Sequence, residues 1–145
     1  MITRVIGIDF GTSTSVVRVM SYQDGKPATS IHAVDYVHFN NKACVPTVVF
    51  SAEDGQTYFG YEAESIAFEG TLHSNFKMNL LSADKFLSAE TLTRQFFLYL
   101  YRIYNEQRSF FAECNEELTF ISYPAKWPVS LRKLLITIAE AAGFQ

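Results

Sequence analysis

The chain has 145 residues, enough for one domain or for one lobe of a larger one. Hydrophobic residues make up 48% and charged residues 19%, which excludes a disordered chain, and thirteen Phe and eight Tyr point to a core rich in rings. The net charge of −3 comes without a dense Lys/Arg stripe, which argues against a nucleic-acid partner, and the opening MITRVIGIDFG, interrupted by Asp9, is neither a secretory segment nor a membrane span.

Residues 4–10, RVIGIDF, read as a strand ending at Gly11, and residues 15–22, SVVRVMSY, as a second. In the second, Val17, Val19 and Ser21 share one face, and Val16, Arg18 and Met20 share the other. The small polar link Gly11-Thr12-Ser13-Thr14 reads as a hairpin turn. Asp24-Gly25 marks another, because D-G tolerates the positive φ angles of a type I′ turn, and it predicts a third antiparallel strand over residues 28–34. VPTVVF (45–50) and TYFG (57–60) read as strands around an Asp54-Gly55 turn, followed by short helices over residues 61–68 and 74–81. A longer helix is predicted from Ser88 as N-cap, with Glu90 in its first turn and Arg102 and Arg108 toward its end, an order that suits the helix dipole. Leu92, Phe96, Leu100, Ile103 and Tyr104 form its apolar stripe; Phe97, Leu98 and Tyr101 widen it so far that most sides should be covered. LTFISY (118–123) reads as a strand ended by Pro124. After Pro128, Ser130 is the expected cap of a helix with Leu131, Leu134, Leu135, Ile138 and Ala142 on one side and Gly143 at its C′ position. Three antiparallel strands followed by helix–strand–helix predict an α/β layer with a mixed sheet.

Cys44 and Cys114 lie far apart and outside any C-x-x-C pattern, which points to a reducing, cytoplasmic setting. His32, His38 and His73 lack ligand spacing, so no metal site is expected of them. The chemistry is concentrated in IGIDFGTSTSVVRV, residues 6–19. An acidic residue ends the first strand and a Gly-Thr-Ser-Thr turn follows at once. Gly11 lets a phosphate approach the backbone, successive N–H groups in such a turn form an anion-binding concavity, and Thr12, Ser13 and Thr14 add hydroxyl donors. Asp9 would stand beside the phosphates, able to hold Mg²⁺ directly or through its waters. The G-x-x-x-x-G-K-[ST] and G-x-G-x-x-G signatures are absent. Asp9-Phe10-Gly11 also spells the kinase metal-binding tripeptide, but no H-R-D loop precedes it.

IGIDFGTSTSVVRV resembles the first phosphate motif of the actin-like ATPase superfamily, which includes actin, sugar kinases and the seventy-kilodalton heat-shock chaperones. VPTVVF (45–50), YFGYEAE (58–64), NFKMNLL (75–81) and LTFISYPAKWPVSLRKLLITIAEAAGF (118–144) resemble, in order, further segments of the chaperone branch. The resemblance implies an incomplete ribonuclease H-like lobe, with its core at about 1–36 and 116–145 and an inserted subdomain at about 37–115. It implies ATP or ADP with Mg²⁺ as ligands, Asp9 near the Mg²⁺, and Gly11, Thr12, Ser13 and Thr14 as the phosphate loop. It implies that Lys77 helps place the attacking water and the γ-phosphate, a role for which a compact cation is apt. Pro124 matches a proline that relays nucleotide state, and Arg132 an arginine at the face contacting the substrate-binding half. Arg132 and Lys133 fall in the first turn of the last helix, where positive charge opposes the dipole. The family has Tyr-Phe after Pro-Ala, whereas Lys126-Trp127-Pro128 stands here, which marks a divergent relative.

The family's second phosphate loop, Asp-x-Gly-Gly-Gly-Thr, and its glycine-rich adenosine loop are not in these residues. Catalysis in such clefts draws on charge from both walls, so no appreciable ATP turnover is expected of residues 1–145. The resemblance implies client or partner proteins engaged through missing C-terminal regions, while the charge pattern and the lack of a long apolar run speak against nucleic acid and membrane as partners. The strand at 118–123 is predicted to present an unpaired edge through which the chain forms a dimer or a swapped assembly. Three other readings are a small-molecule kinase of the same superfamily, an actin-like filament protein, and a nucleotide-independent interaction domain on the same fold.

Overall fold

The computed structural model describes residues 1–27 and 35–145. The strand predicted over 28–34 lies outside the described residues.

Strands β1 (Ile2–Phe10) and β2 (Thr14–Gln23) form the expected antiparallel hairpin, with Ile2 opposite Gln23 and Phe10 opposite Ser15. Their two-residue alternation buries Ile6, Ile8, Phe10, Val17 and Val19 on one face and leaves Asp9 and Arg18 exposed on the other. At the far end of β2 the chain turns through Asp24 and Gly25 at φ of 51° and 80°, the left-handed pair that a D-G hairpin supplies. Three short strands, β3 (Lys26–Pro27), β4 (Asp35–Tyr36) and β5 (Val45–Pro46), then pair antiparallel along the outer edge of β2.

The run VPTVVF, expected as one strand, is divided between two sheets. Val45-Pro46 closes on β2, whereas β6 (Val49–Ala52) is the centre of a three-stranded sheet with β7 (Thr57–Phe59) and β8 (Gly70–His73). Thr47 makes the crossing: its amide donates to the Ser13 carbonyl at 2.9 Å and its hydroxyl pairs with that of Ser15 at 2.7 Å. Those two bonds hold the chain to the first hairpin while it leaves for the second sheet. Helix α1 (Gly60–Ser65) follows β7, and α2 (Phe76–Asn79) is a single turn; both are shorter than the predicted stretches.

Helix α3 (Phe86–Gln107) begins two residues before Ser88. The Ala89 amide donates to the Lys85 carbonyl at 3.0 Å, Phe86 packs on the core, and Ser88 is exposed inside the first turn rather than capping it. Packing of an aromatic ring thus overrides the cap signal. The predicted dipole pattern goes with it: Glu90 pairs instead with Arg94 at 3.1 Å, and neither terminal turn carries the expected charge. The helix buries one broad face, with Leu87 and Leu98 in solvent, so it is not covered on most sides. A 3-10 turn (Arg108–Phe110) leads to β9 (Glu116–Ile121), which lies parallel to β1. A parallel return needs a crossover, and α3 provides it.

The last helix, α4 (Val129–Ala142), starts on Pro128, whose carbonyl accepts the Leu131 and Arg132 amides at 3.1 and 3.2 Å; Ser130 sits exposed in the first turn and is not the cap. Proline suits that place because its fixed φ is helix-compatible and no donor is wasted. Leu131, Leu135, Ile138 and Ala142 are buried as the spacing predicts. The helix ends at Gly143, with φ of 123°, where an added Cβ would lie 2.7 Å from the Tyr101 ring.

The result is an α/β layer on a mixed sheet in the order β3-β2-β1-β9. One apolar cluster joins the inner faces of β1 and β2 to α2, α3 and α4. At its centre Phe10 meets the rings of Phe76, Phe96 and Phe97 with centroids 5.2–6.2 Å apart. Truncating so buried a ring to Ala costs about 3–5 kcal/mol. The opposite face carries Arg18 and Phe120 in solvent. Among the described residues no helix is long and apolar enough to cross a membrane.

Candidate functional site

The bend between β1 and β2 is set by its own backbone. A Cβ on Gly11 would lie 2.1 Å from the Thr14 carbonyl oxygen, so glycine is required by the turn itself, whatever ligand approaches it. On one side the bend is anchored, since the Ser13 carbonyl takes the Thr47 amide. On the other side, the amides of Thr12 and Ser13 donate to no protein acceptor among the described residues, while the Thr14 carbonyl lies against Gly11. Gly11 and Thr12 are half-buried and Ser13 and Thr14 exposed, so these donors and hydroxyls stand together at the surface.

Asp9 lies one residue before the end of β1 and points to the open face of the sheet. The parallel register brings the end of β9 beside it. Ser122 donates its amide to the Ile8 carbonyl at 3.0 Å and its hydroxyl to Asp9 Oδ1 at 2.9 Å. The carboxylate is therefore oriented, and no donor among the described residues bonds its second oxygen. In the adjoining row Gly7 lies between Arg18 of β2 and Phe120 of β9, and its missing side chain leaves a notch in that face.

Lys77 reaches the same strand end from the other side. Asn75, at φ of 57°, turns the chain, and Phe76, 1% exposed, inserts into the core against Phe10 and Phe96. With that anchor in place, Lys77 lies over the core edge and its Nζ donates to the Phe10 carbonyl at 2.5 Å. The ammonium is 5.5 Å from the Phe10 ring centroid and 5.5 Å from that of Trp127. Burial pushes its pKa below the ordinary lysine value, and the Asp9 carboxylate pulls it back up. No ion pair within 4 Å joins Lys77 to an acid among the described residues.

Pro124 and Arg132 meet in the connection from β9 to α4. The Pro124 carbonyl accepts the Trp127 amide at 3.0 Å, closing a turn. Arg132 reaches back over that turn, donating from Nε to the Trp127 carbonyl at 3.0 Å and from a terminal nitrogen to the Ala125 carbonyl at 2.8 Å, with its guanidinium 4.9 Å from the Tyr123 ring centroid. This explains a cation in the first helical turn: it serves the carbonyls that precede the helix.

Asp9, the 11–14 bend and Lys77 therefore converge at the carboxyl end of β1, beside that of β9, where open α/β sheets bind ligands. Trp127 links them to the Pro124 turn, and Arg132 grips that turn from behind. Sequence reasoning missed Thr47, Ser122 and, as a partner of Lys77, Trp127. The pairings depend on contacts 32 to 113 residues apart or on the fold of the turn, for which local pattern carries no signal. In comparisons with known proteins, the chain matches no family model and no curated sequence.

Proposed function

We propose that this chain is the ATP-binding lobe of an actin-like ATPase of the heat-shock-chaperone kind, built on a ribonuclease H-like sheet. The observation that carries the reading is the pair of unengaged amides at Thr12 and Ser13, set between an oriented carboxylate and a held ammonium. Those amides and the hydroxyls of Thr12, Ser13 and Thr14 donate to phosphate oxygens. Lys77 has three N–H donors and uses one on Phe10, leaving two for a terminal phosphate. Asp9 suits Mg²⁺ because this ion keeps most of its waters and takes one or two carboxylates, and the oxygen not bonded to Ser122 can accept from such a water. Bound Mg²⁺ supplies positive charge that screens the polyphosphate. The nucleotide state held here would be coupled to a partner or client protein. Binding, not turnover, is the activity expected of these residues alone.

Nuclear magnetic resonance titration with Mg·ADP and Mg·ATP tests this. The amide signals of Gly11–Thr14 should shift with a roughly millimolar dissociation constant, since one wall buries little of a ligand. Asp9→Asn and Lys77→Met should each weaken binding about tenfold, equal to a loss of about 1.4 kcal/mol. Signals of the bend that stay fixed at saturating nucleotide would sink the reading and leave a well-packed α/β module.

A further inference from the structure

We propose that Trp127 is the positioning residue for Lys77: its ring and that of Phe10 form a two-walled aromatic box that holds the ammonium at the phosphate-binding bend. The functional meaning of the box rests on the nucleotide-binding reading above, while the box itself stands on geometry alone. Trp127 is 5% exposed and belongs to the main core cluster, although the four residues around it, Pro124, Ala125, Lys126 and Pro128, are all exposed. It is thus an inward anchor in a surface turn. Both ends of its backbone are fixed, the amide on the Pro124 carbonyl and the carbonyl under Arg132 Nε. From that fixed backbone the ring stands 5.5 Å from Lys77 Nζ, matching Phe10 on the other wall.

An ammonium over two ring faces gains from their negative quadrupoles, most strongly with Trp and in a dry setting. The Phe10 carbonyl adds directionality. A flexible lysine gains most from such a box, because its stem has many rotamers and each wall removes some before a ligand arrives. Among the described residues, Asp9 of β1 acts on this cation, and Arg132 of α4 meets Trp127 only through its backbone carbonyl.

Two measurements test the box without nucleotide. Trp127 is the only tryptophan, so its emission reports this site. Its emission against pH should show a step at the Lys77 titration that disappears in Lys77→Met, while any tyrosine step is common to both proteins. A step that survives in Lys77→Met overturns the proposal. Second, the Lys77 ¹³Cε signal, assigned by its loss in Lys77→Met, should titrate about half a pH unit lower in Trp127→Leu, which keeps the apolar cover but loses the quadrupole, and should be restored in Trp127→Phe. Equal midpoints in the Leu and Phe variants overturn it as well. Nucleotide binding is then read separately. If both box signatures hold and Mg·ATP shifts nothing, the nucleotide reading fails and the box stands. If Mg·ATP binds the parent and Trp127→Leu equally well and the midpoints agree, the box fails and the nucleotide reading stands.

Discussion

Arg4 and Glu117 face each other across the parallel pair β1–β9, and the guanidinium donates to Glu117 Oε1 at 2.9 Å with 4% and 11% of the two side chains exposed. The same carboxylate oxygen accepts the Tyr104 hydroxyl at 2.8 Å and lies 3.3 Å from Arg108. Arg4 also reaches the Ala112 carbonyl, tying the chain before β9 to the start of β1. One acid therefore serves two arginines and a phenol at the end of the sheet remote from the bend.

Removing the acid from this cluster leaves a buried guanidinium without its counter-charge. Glu117→Ala should destabilise the fold by about 3–5 kcal/mol, and the double variant Arg4→Met/Glu117→Leu should recover much of that loss. Urea unfolding followed by circular dichroism measures both. A single variant within about 0.5 kcal/mol of the parent would show that the cluster is dispensable.

How much of this was legible beforehand depends on the range of the contacts. The β1–β2 hairpin follows from two-residue alternation and a D-G turn, and α4 from apolar spacing ended by Gly143; each signal is local, and each holds. Strand β8 was missed because Gly70, Thr71 and Leu72 are exposed and show no alternation; their pairing with β6 makes the strand. Ser88 and Ser130 failed as caps because Phe86 and Pro128 set the helix starts by packing and by backbone geometry. Arg4 opens the predicted strand RVIGIDF, and nothing local marks its partner 113 residues away. Within the candidate site, Asp9 and the 11–14 bend were legible as a motif, whereas Ser122 becomes Asp9's partner only through the parallel register.

Alkaline titration should single out two phenols. Burial pushes both Tyr99 and Tyr104 up to about 12, with the Glu117 bond adding to the effect on Tyr104 and Arg4 opposing it. Unfolded tyrosine ionises near 10, so between pH 10 and 12 the unfolded chain has lost protons that the folded chain keeps, and stability falls as pH rises through that window. Phenolate absorbance should show these two ionising last, and Tyr104→Phe should flatten the fall in unfolding midpoint above pH 10. An unchanged pH slope in that variant would contradict the assignment.

Arg132 and Lys133 share a helical turn but not a role. Arg132→Gln removes charged donors from the Trp127 and Ala125 carbonyls and should cost about 1–2 kcal/mol. Lys133 is exposed, and replacing it with Ala should change stability by less than about 0.5 kcal/mol. Paired urea curves decide the matter; equal effects would mean that Arg132 contributes only charge near the helix start.

The outer edge of β9 has no strand partner among the described residues, and Leu118 and Phe120 beside it are 41% and 62% exposed. Such an edge favours addition of another strand. Its charge pattern selects the direction: Glu113 and Glu116 are exposed at one end, and Lys126 and Lys133 are exposed beyond the other. Two copies paired parallel would set acid on acid, whereas an antiparallel pair about a two-fold axis sets the acidic end of each on the basic end of its mate. The chain should therefore form a concentration-dependent dimer that salt weakens, because exposed charges are screened over about 8–10 Å at physiological ionic strength. Sedimentation velocity should show the dimer in the parent chain and a monomer in Phe120→Lys, with far-ultraviolet circular dichroism unchanged. A parent chain that stays monomeric at high concentration and low salt would refute the pairing.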